Sequence, residues 1–294
     1  MIKSGSVKYI IIMLVFISVF NIFAYADNTI VVTLAKDLNE AQKEQILKLF
    51  NVSGETTQII EVNNEEERAF LEGIAPEEQI GKITISSAYV EVLEKGSGIE
   101  VETYNISWVT KEMYRNALVT AGVKDAKVIA AAPFSVSGTG ALTGILKAFE
   151  QATGRKIDKE QKRVANEEVI KTGELGEKIG KEKATELIRE VKEKVVEKGA
   201  KSSKEIKKII IDIAGRLDIN LSAEQIDSIS KLMEKINKLN LNTEEIKSQL
   251  KGIGEKLDQT LKDNEQIKSL LQRIIDAIKN FFNSLFSRLK VEIL

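Results

Sequence analysis

Two hydrophobic rhythms divide this chain. From Thr29 to Ala132, short β-branched runs alternate with amphipathic stretches; from Arg155 onward, apolar residues recur at spacings of three and four. The first rhythm predicts strands over 29–34, 57–62, 83–93, 99–106 and 128–132. The run Val128–Ala132 contains no polar residue, as expected of a central strand covered on both faces. Lys95-Gly96-Ser97-Gly98 separates the third and fourth runs and predicts a β-hairpin, wet on one face because Thr84, Ser86, Ser87 and Tyr89 are polar. Asn39 and Gln42 form a capping box that opens a helix to Phe50. Thr110 caps another that ends at Gly122.

The second rhythm predicts helices alone. Asp158/Gln161, Ser202/Glu205, Ser222/Gln225 and Asn242/Glu245 mark four helix starts. Gly173 and Gly176 are expected to end the first of these helices near Lys171, and a charged helix is expected from Glu177 to Gly199. From Ile246 through Leu250, Ile253 and Leu257 to Leu285 the apolar positions keep a seven-residue repeat that includes Asn264, the pattern of a coiled-coil seam. Ile226, Ile229, Met233 and Ile236 keep the same beat, so the seam has two candidate partners: this preceding helix, in an intramolecular hairpin, or a second copy of the chain. The expected fold class is α+β. A mixed α/β domain of about five strands with helices (27–154) precedes an all-helical region, made of a helical connector (155–220) and a coiled-coil-like hairpin with an amphipathic C-terminal helix (221–294).

Composition narrows the chemistry. The chain has no Cys and no His, which excludes thiolate, Ser-His-Asp and zincin catalysis. Its 43 Lys and Arg nearly cancel 44 Asp and Glu, so no field favours nucleic acid, and no motif calls for a cofactor. Lys3 and Lys8, an apolar run from Tyr9 to Phe23, and Ala24-Tyr25-Ala26 are the parts of a secretory signal peptide over 1–26, an uncleaved anchor being the alternative. Export to a bacterial cell envelope is therefore expected. Near the other end, Leu271, Ile274, Ile278, Phe282 and Phe286 form a broad apolar stripe opposite Arg273, Lys279 and Arg288. That face suits either a membrane surface or the protein's own core.

Glu65-Glu66-Glu67 is a possible metal cluster, although carboxylates in a helix's first turn are favourable on their own account. Glu91, Glu100 and Glu102 are candidate hydrolytic carboxylates. The loop Ser135–Gly144 joins a strand to a helix, the usual setting for anion binding by backbone N–H groups, and its candidate ligand-binding residues are Ser135, Ser137, Gly138, Thr139, Gly140 and Gly144. The glycines are spaced G-x-G-x-x-x-G, one residue away from the dinucleotide fingerprint, and no Gly-Lys-Ser/Thr follows. A purely architectural use has Ser137 or Thr139 capping the helix. A nucleophilic use of Ser135 or Ser137 has only Lys147 as a base.

The segment from Ile80 to Glu150 carries Ser86-Ser87, Gly96-Ser97-Gly98, Asn105-Ile106-Ser107, Asn116-Ala117-Leu118, Thr120-Ala121-Gly122-Val123, Ser135-Val136-Ser137-Gly138-Thr139 and Ala141-Leu142-Thr143-Gly144. On these landmarks the chain resembles a family of exported bacterial proteins called DUF 1002, domain of unknown function number one thousand and two. The resemblance implies export and brings no catalytic residues. The expected function is that of a non-enzymatic envelope protein that binds a partner or a membrane surface. The alternatives are a carboxylate-dependent envelope hydrolase and a ligand-binding domain built on the Ser135–Gly144 loop.

Overall fold

The computed structural model describes residues 29–249, apart from 54–56, 240, 243, 245, 247 and 248. In chain order the elements are β1 (Ile30–Ala35), α1 (Glu40–Phe50), β2 (Gln58–Val62), α2 (Asn64–Leu71), α3 (Glu77–Ile80), β3 (Ser87–Val92), β4 (Ile99–Ile106), α4 (Lys111–Thr120), β5 (Ala126–Val136), α5 (Ala141–Thr153), α6 (Lys159–Ile179), α7 (Lys181–Lys198), α8 (Ser203–Arg216) and α9 (Ala223–Lys238). The five strands form one mixed sheet in the order β2-β1-β3-β5-β4.

β3 and β4 are not the hairpin that their glycine turn predicts, because β5 lies between them, antiparallel to β3 and parallel to β4. Two local features explain the difference. Asp125, at the entrance to β5, accepts the N–H groups of both Gly96 and Gly98 at 2.9 Å, so the glycine turn docks the incoming strand. The apolar β5 is satisfied only with neighbours on both edges, whereas β4, with Glu100 and Glu102, tolerates the outside position.

Side-chain alternation splits the sheet into two faces. Val32, Leu34, Tyr89 and Ile129 pack on Ile46 and Phe50 of α1. Val31, Ala88, Val90, Val101, Val128 and Ala130 pack with α4 and α5 on the other.

α6 runs unbroken for 21 residues through both glycines that were expected to interrupt it. At residue 173 a Cβ would overlap the indole ring of Trp108, and at residue 176 it would lie 3.1 Å from the backbone of Lys181. Both glycines thus serve close packing. The helix ends at Gly180, whose φ is 93°. α6 also joins the two halves: Ala165 and Val169 enter the core against the sheet, while Val164 and Leu175 enter a second core with α7, α8 and α9. Ile246, the first position of the predicted heptad seam, is buried in the core of α4 and α5. The rest of the seam, the apolar stripe from Leu271 to Phe286 and the predicted signal peptide lie outside the described residues.

Candidate functional site: the carboxyl rim of the sheet

β1, β2, β4 and β5 run in one direction and end at a single rim, where β3 begins. In open α/β sheets this rim is where ligands bind, because the loops leaving parallel strands converge there. It gathers Asp37 after β1, Asn63–Glu67 after β2, Thr84–Ser87 at the start of β3, Asn105–Ser107 at the end of β4 and Pro133–Gly140 leading into α5.

The predicted loop is shorter than its sequence suggests. Ser135 and Val136 belong to β5, which leaves only Ser137–Gly140 between strand and helix. The residue that precedes α5 is Gly140, which makes no side-chain capping hydrogen bond, and the hydroxyls of Ser137 and Thr139 lie 3.3 Å from each other. The three glycines have three separate reasons. Gly138 turns the chain at φ 90°, and Tyr114 Oη donates to its carbonyl at 2.5 Å. A Cβ at Gly140 would overlap the carboxyl of Glu67, and one at Gly144 would lie 2.8 Å from Thr33 Oγ1. Gly144 therefore lets α5 lie close on β1.

Glu67 is the feature that sequence reasoning missed. It stands in the first turn of α2, whose N-cap Asn63 forms a capping box with Glu66. Glu66 also pairs with Lys147 of α5 at 2.6 Å, and Lys147 Nζ donates to the carbonyl of Glu61 at 2.6 Å. Lys147 is thus committed to the β2 side of the rim. Glu67 turns inward, 3% exposed, to the start of α5. Burial pushes its carboxyl up to about 7; the Thr84 and Asn64 side chains oppose the shift, and Asp37 and Glu66 add to it. The space that an anion would take at the α5 N-terminus holds the chain's own carboxyl. Beside it, the hydroxyls of Thr33 and Thr143 are buried without a hydrogen-bond partner among the described residues. Among those residues no group of three or more acidic side chains could hold a metal ion, Glu65–Glu67 included.

A second local device shapes the rim. Between Tyr104↔Ala131 and Ile106↔Val136 the register of β4 and β5 jumps, and β5 arches outward over 132–135. Asn105, at φ 57°, donates from Nδ2 to the Ala132 carbonyl at 2.8 Å, and Gln45 Nε2 donates to that of Pro133 at 3.1 Å. The arch holds Phe134 half exposed and Ser135 in solvent. Asn is the residue type that most readily adopts a left-handed conformation after Gly, and that is the one signal of the arch the sequence offered.

The candidate hydrolytic carboxylates lie elsewhere. In register, Glu91 and Glu100 flank Lys127 across three strands. Glu102 lies 3.5 Å from Lys127 Nζ and accepts from Tyr104 Oη at 2.9 Å, while Glu91 accepts from Tyr89 Oη at 2.9 Å. The three carboxylates thus lie in a row along one face of the sheet, held by Lys127 and two tyrosine hydroxyls.

Comparison with known proteins agrees with the sequence resemblance and adds no chemistry. A family model described as "Protein of unknown function (DUF1002)" matches residues 34–253. The curated "Uncharacterized protein YpuA" of Bacillus subtilis (strain 168) is 39% identical over 262 residues, covering 89% of this chain and 90% of the relative. No solved structure matches. The chain belongs to the DUF1002 family.

Proposed function

We propose that this protein is exported and acts without catalysis, binding at the outer face of the bacterial membrane through its C-terminal amphipathic segment while the α+β body faces a partner in the envelope. The observation that carries this reading is the burial of α9. Leu232, Met233, Ile236 and Leu239 are the positions against which a returning C-terminal helix would fold; the first three are 0–3% exposed within the core shared with α6, α7 and α8, and Leu239 packs against that core part-buried. The stripe of Leu271, Ile274, Ile278, Phe282 and Phe286 then needs another apolar phase, and Arg273, Lys279 and Arg288 suit anionic headgroups. The signal-peptide pattern of residues 1–26 puts such a surface within reach.

Co-sedimentation of the mature chain with anionic liposomes tests the reading. Wild type is expected in the pellet, less so at high salt as the basic contacts are screened. Phe282→Glu/Phe286→Glu is expected in the supernatant with its fold intact. Wild type in the supernatant, or a double variant that unfolds, overturns the reading in favour of a core helix. A dimer in sedimentation equilibrium that the same double variant dissociates points instead to the heptad seam.

A further inference from the structure

Glu67 is a buried acid on a weakly anchored element. α2 and α3 form one small unit: the Arg68 guanidinium donates to both carboxylate oxygens of Glu77, at 3.1 and 2.8 Å, and to the Gly81 carbonyl at 3.0 Å. Beneath them, among the described residues, lies a small core of Leu71, Ile80 and Ile170, with Ile74, Ala75 and Trp108 packed against it part-buried. Gly73 and Gly81 flank α3 in left-handed conformations, with open space where a Cβ would stand. The Glu67 carboxyl is seated where any side chain at residue 140 would have to be.

We propose that α2–α3 is a proton-operated latch over the carboxyl rim, closed onto Gly140 and α5 when Glu67 holds its proton and released when Glu67 ionises. Closed, the carboxyl is away from water, so losing the proton leaves a charge in a poorly solvated seat. Swinging out returns that charge to solvent and uncovers the start of α5. The groups facing the carboxyl act in both directions: Thr84, before β3, and Asn64, on α2, favour the ionised form in place, while two acids favour release. Asp37, in the loop after β1, and Glu66, on α2 itself, repel it. Lys147 of α5 is engaged with Glu66. Tyr114 of α4 has its hydroxyl on the Gly138 carbonyl, and burial pushes that phenol above its ordinary range. From α6, Ile170 meets Leu71, and Lys162 stands over the Phe70 ring while pairing with Glu150.

Hydrogen exchange of the full mature chain at pH 5.5 and pH 8.5, corrected for the chemical exchange rate, tests the latch. A carboxyl near 7 when closed and at the ordinary 4.5 when open makes protection over residues 64–80 fall about 30-fold between those pH values. Amides of α7 and α8 that exchange only on global unfolding should stay better protected than residues 64–80 at both pH values. Glu67→Gln should keep high protection at both pH values, and Gly140→Ala should lose it at both. Protection over 64–80 that is flat with pH in wild type overturns the proposal. So does a fall that survives Glu67→Gln, or full protection in Gly140→Ala. If Glu67→Gln does not fold, the wild-type profile and Gly140→Ala decide.

Discussion

Lys192 Nζ donates to Glu168 Oε1 at 2.6 Å, and both side chains are 1% exposed. The same ammonium donates to Thr120 Oγ1 at 3.0 Å and to the Asn116 carbonyl at 2.8 Å, while Thr120 Oγ1 donates to Glu168 Oε2 at 2.5 Å. One network therefore ties α4, on the sheet, to α6 and α7. Removing one partner strands the other charge. Lys192→Met is expected to lower the unfolding free energy by about 3–5 kcal/mol. Lys192→Met/Glu168→Leu should recover more than half of that loss, and urea-unfolding midpoints of the three proteins measure both effects.

Trp108 is the chain's single tryptophan, so its emission reports on one joint. The ring lies over Gly173, and Nε1 donates to Glu177 at 2.7 Å. Gly173→Ala is expected to cost about 1–3 kcal/mol by overpacking and to shift the emission to the red as the ring is pushed out. Gly215→Ala, on α8 with open space around it, is the matched control and should raise stability by up to about 1 kcal/mol.

Stability should fall, not rise, between mildly acidic and neutral pH at Glu67. Its folded value of about 7 lies above the ordinary 4.5, so the folded state holds the proton more tightly. The resulting stabilisation is complete below pH 4.5 and is lost as pH rises through 7, with an upper size on the order of 3 kcal/mol. Glu67→Gln should flatten that part of the profile in chemical denaturation at pH 5 to 8. Asp227 works in the opposite sense at lower pH: Lys207 and Lys231 hold its carboxyl down to about 2, so its contribution is lost only as pH falls from about 3.8 through 2.

The arch of β5 depends on the left-handed backbone at Asn105. Asn105→Gly keeps that conformation and loses only the bond to the Ala132 carbonyl. Asn105→Val adds a β-branched penalty at the same dihedral angles. Thermal unfolding should rank the valine variant below the glycine variant by about 1–2 kcal/mol.

What could be read from the sequence was local. The boxes at Asn39/Gln42, Asp158/Gln161, Ser202/Glu205 and Ser222/Gln225 all form, because a capping box is decided within four residues. The errors were all non-local. Gly173 looked like a helix breaker because Trp108, which makes glycine necessary there, is 65 positions away. The hairpin failed because Asp125 claims the turn. At the rim, the strand-to-helix turn was legible but narrower than 135–144, and its occupant was hidden. Glu67 read as one of three equivalent acids in a helix's first turn, and only the fold distinguishes the one that meets Gly140.

The strand order also sets a sequence of events in time. β5 is the last strand among the described residues, yet it sits between β3 and β4 and supplies the paired edge that β4 has. A chain cut short before residue 126 can bring β1, β2 and β3 together, but it carries β4 without its native neighbour and leaves the edge of β3 that β5 would cover open. Such a fragment offers an open template for other chains, and that hazard disappears only when the 126–136 stretch arrives and slots in. The sheet is completed from its middle, so shortened products should reveal themselves as aggregates rather than as soluble half-domains.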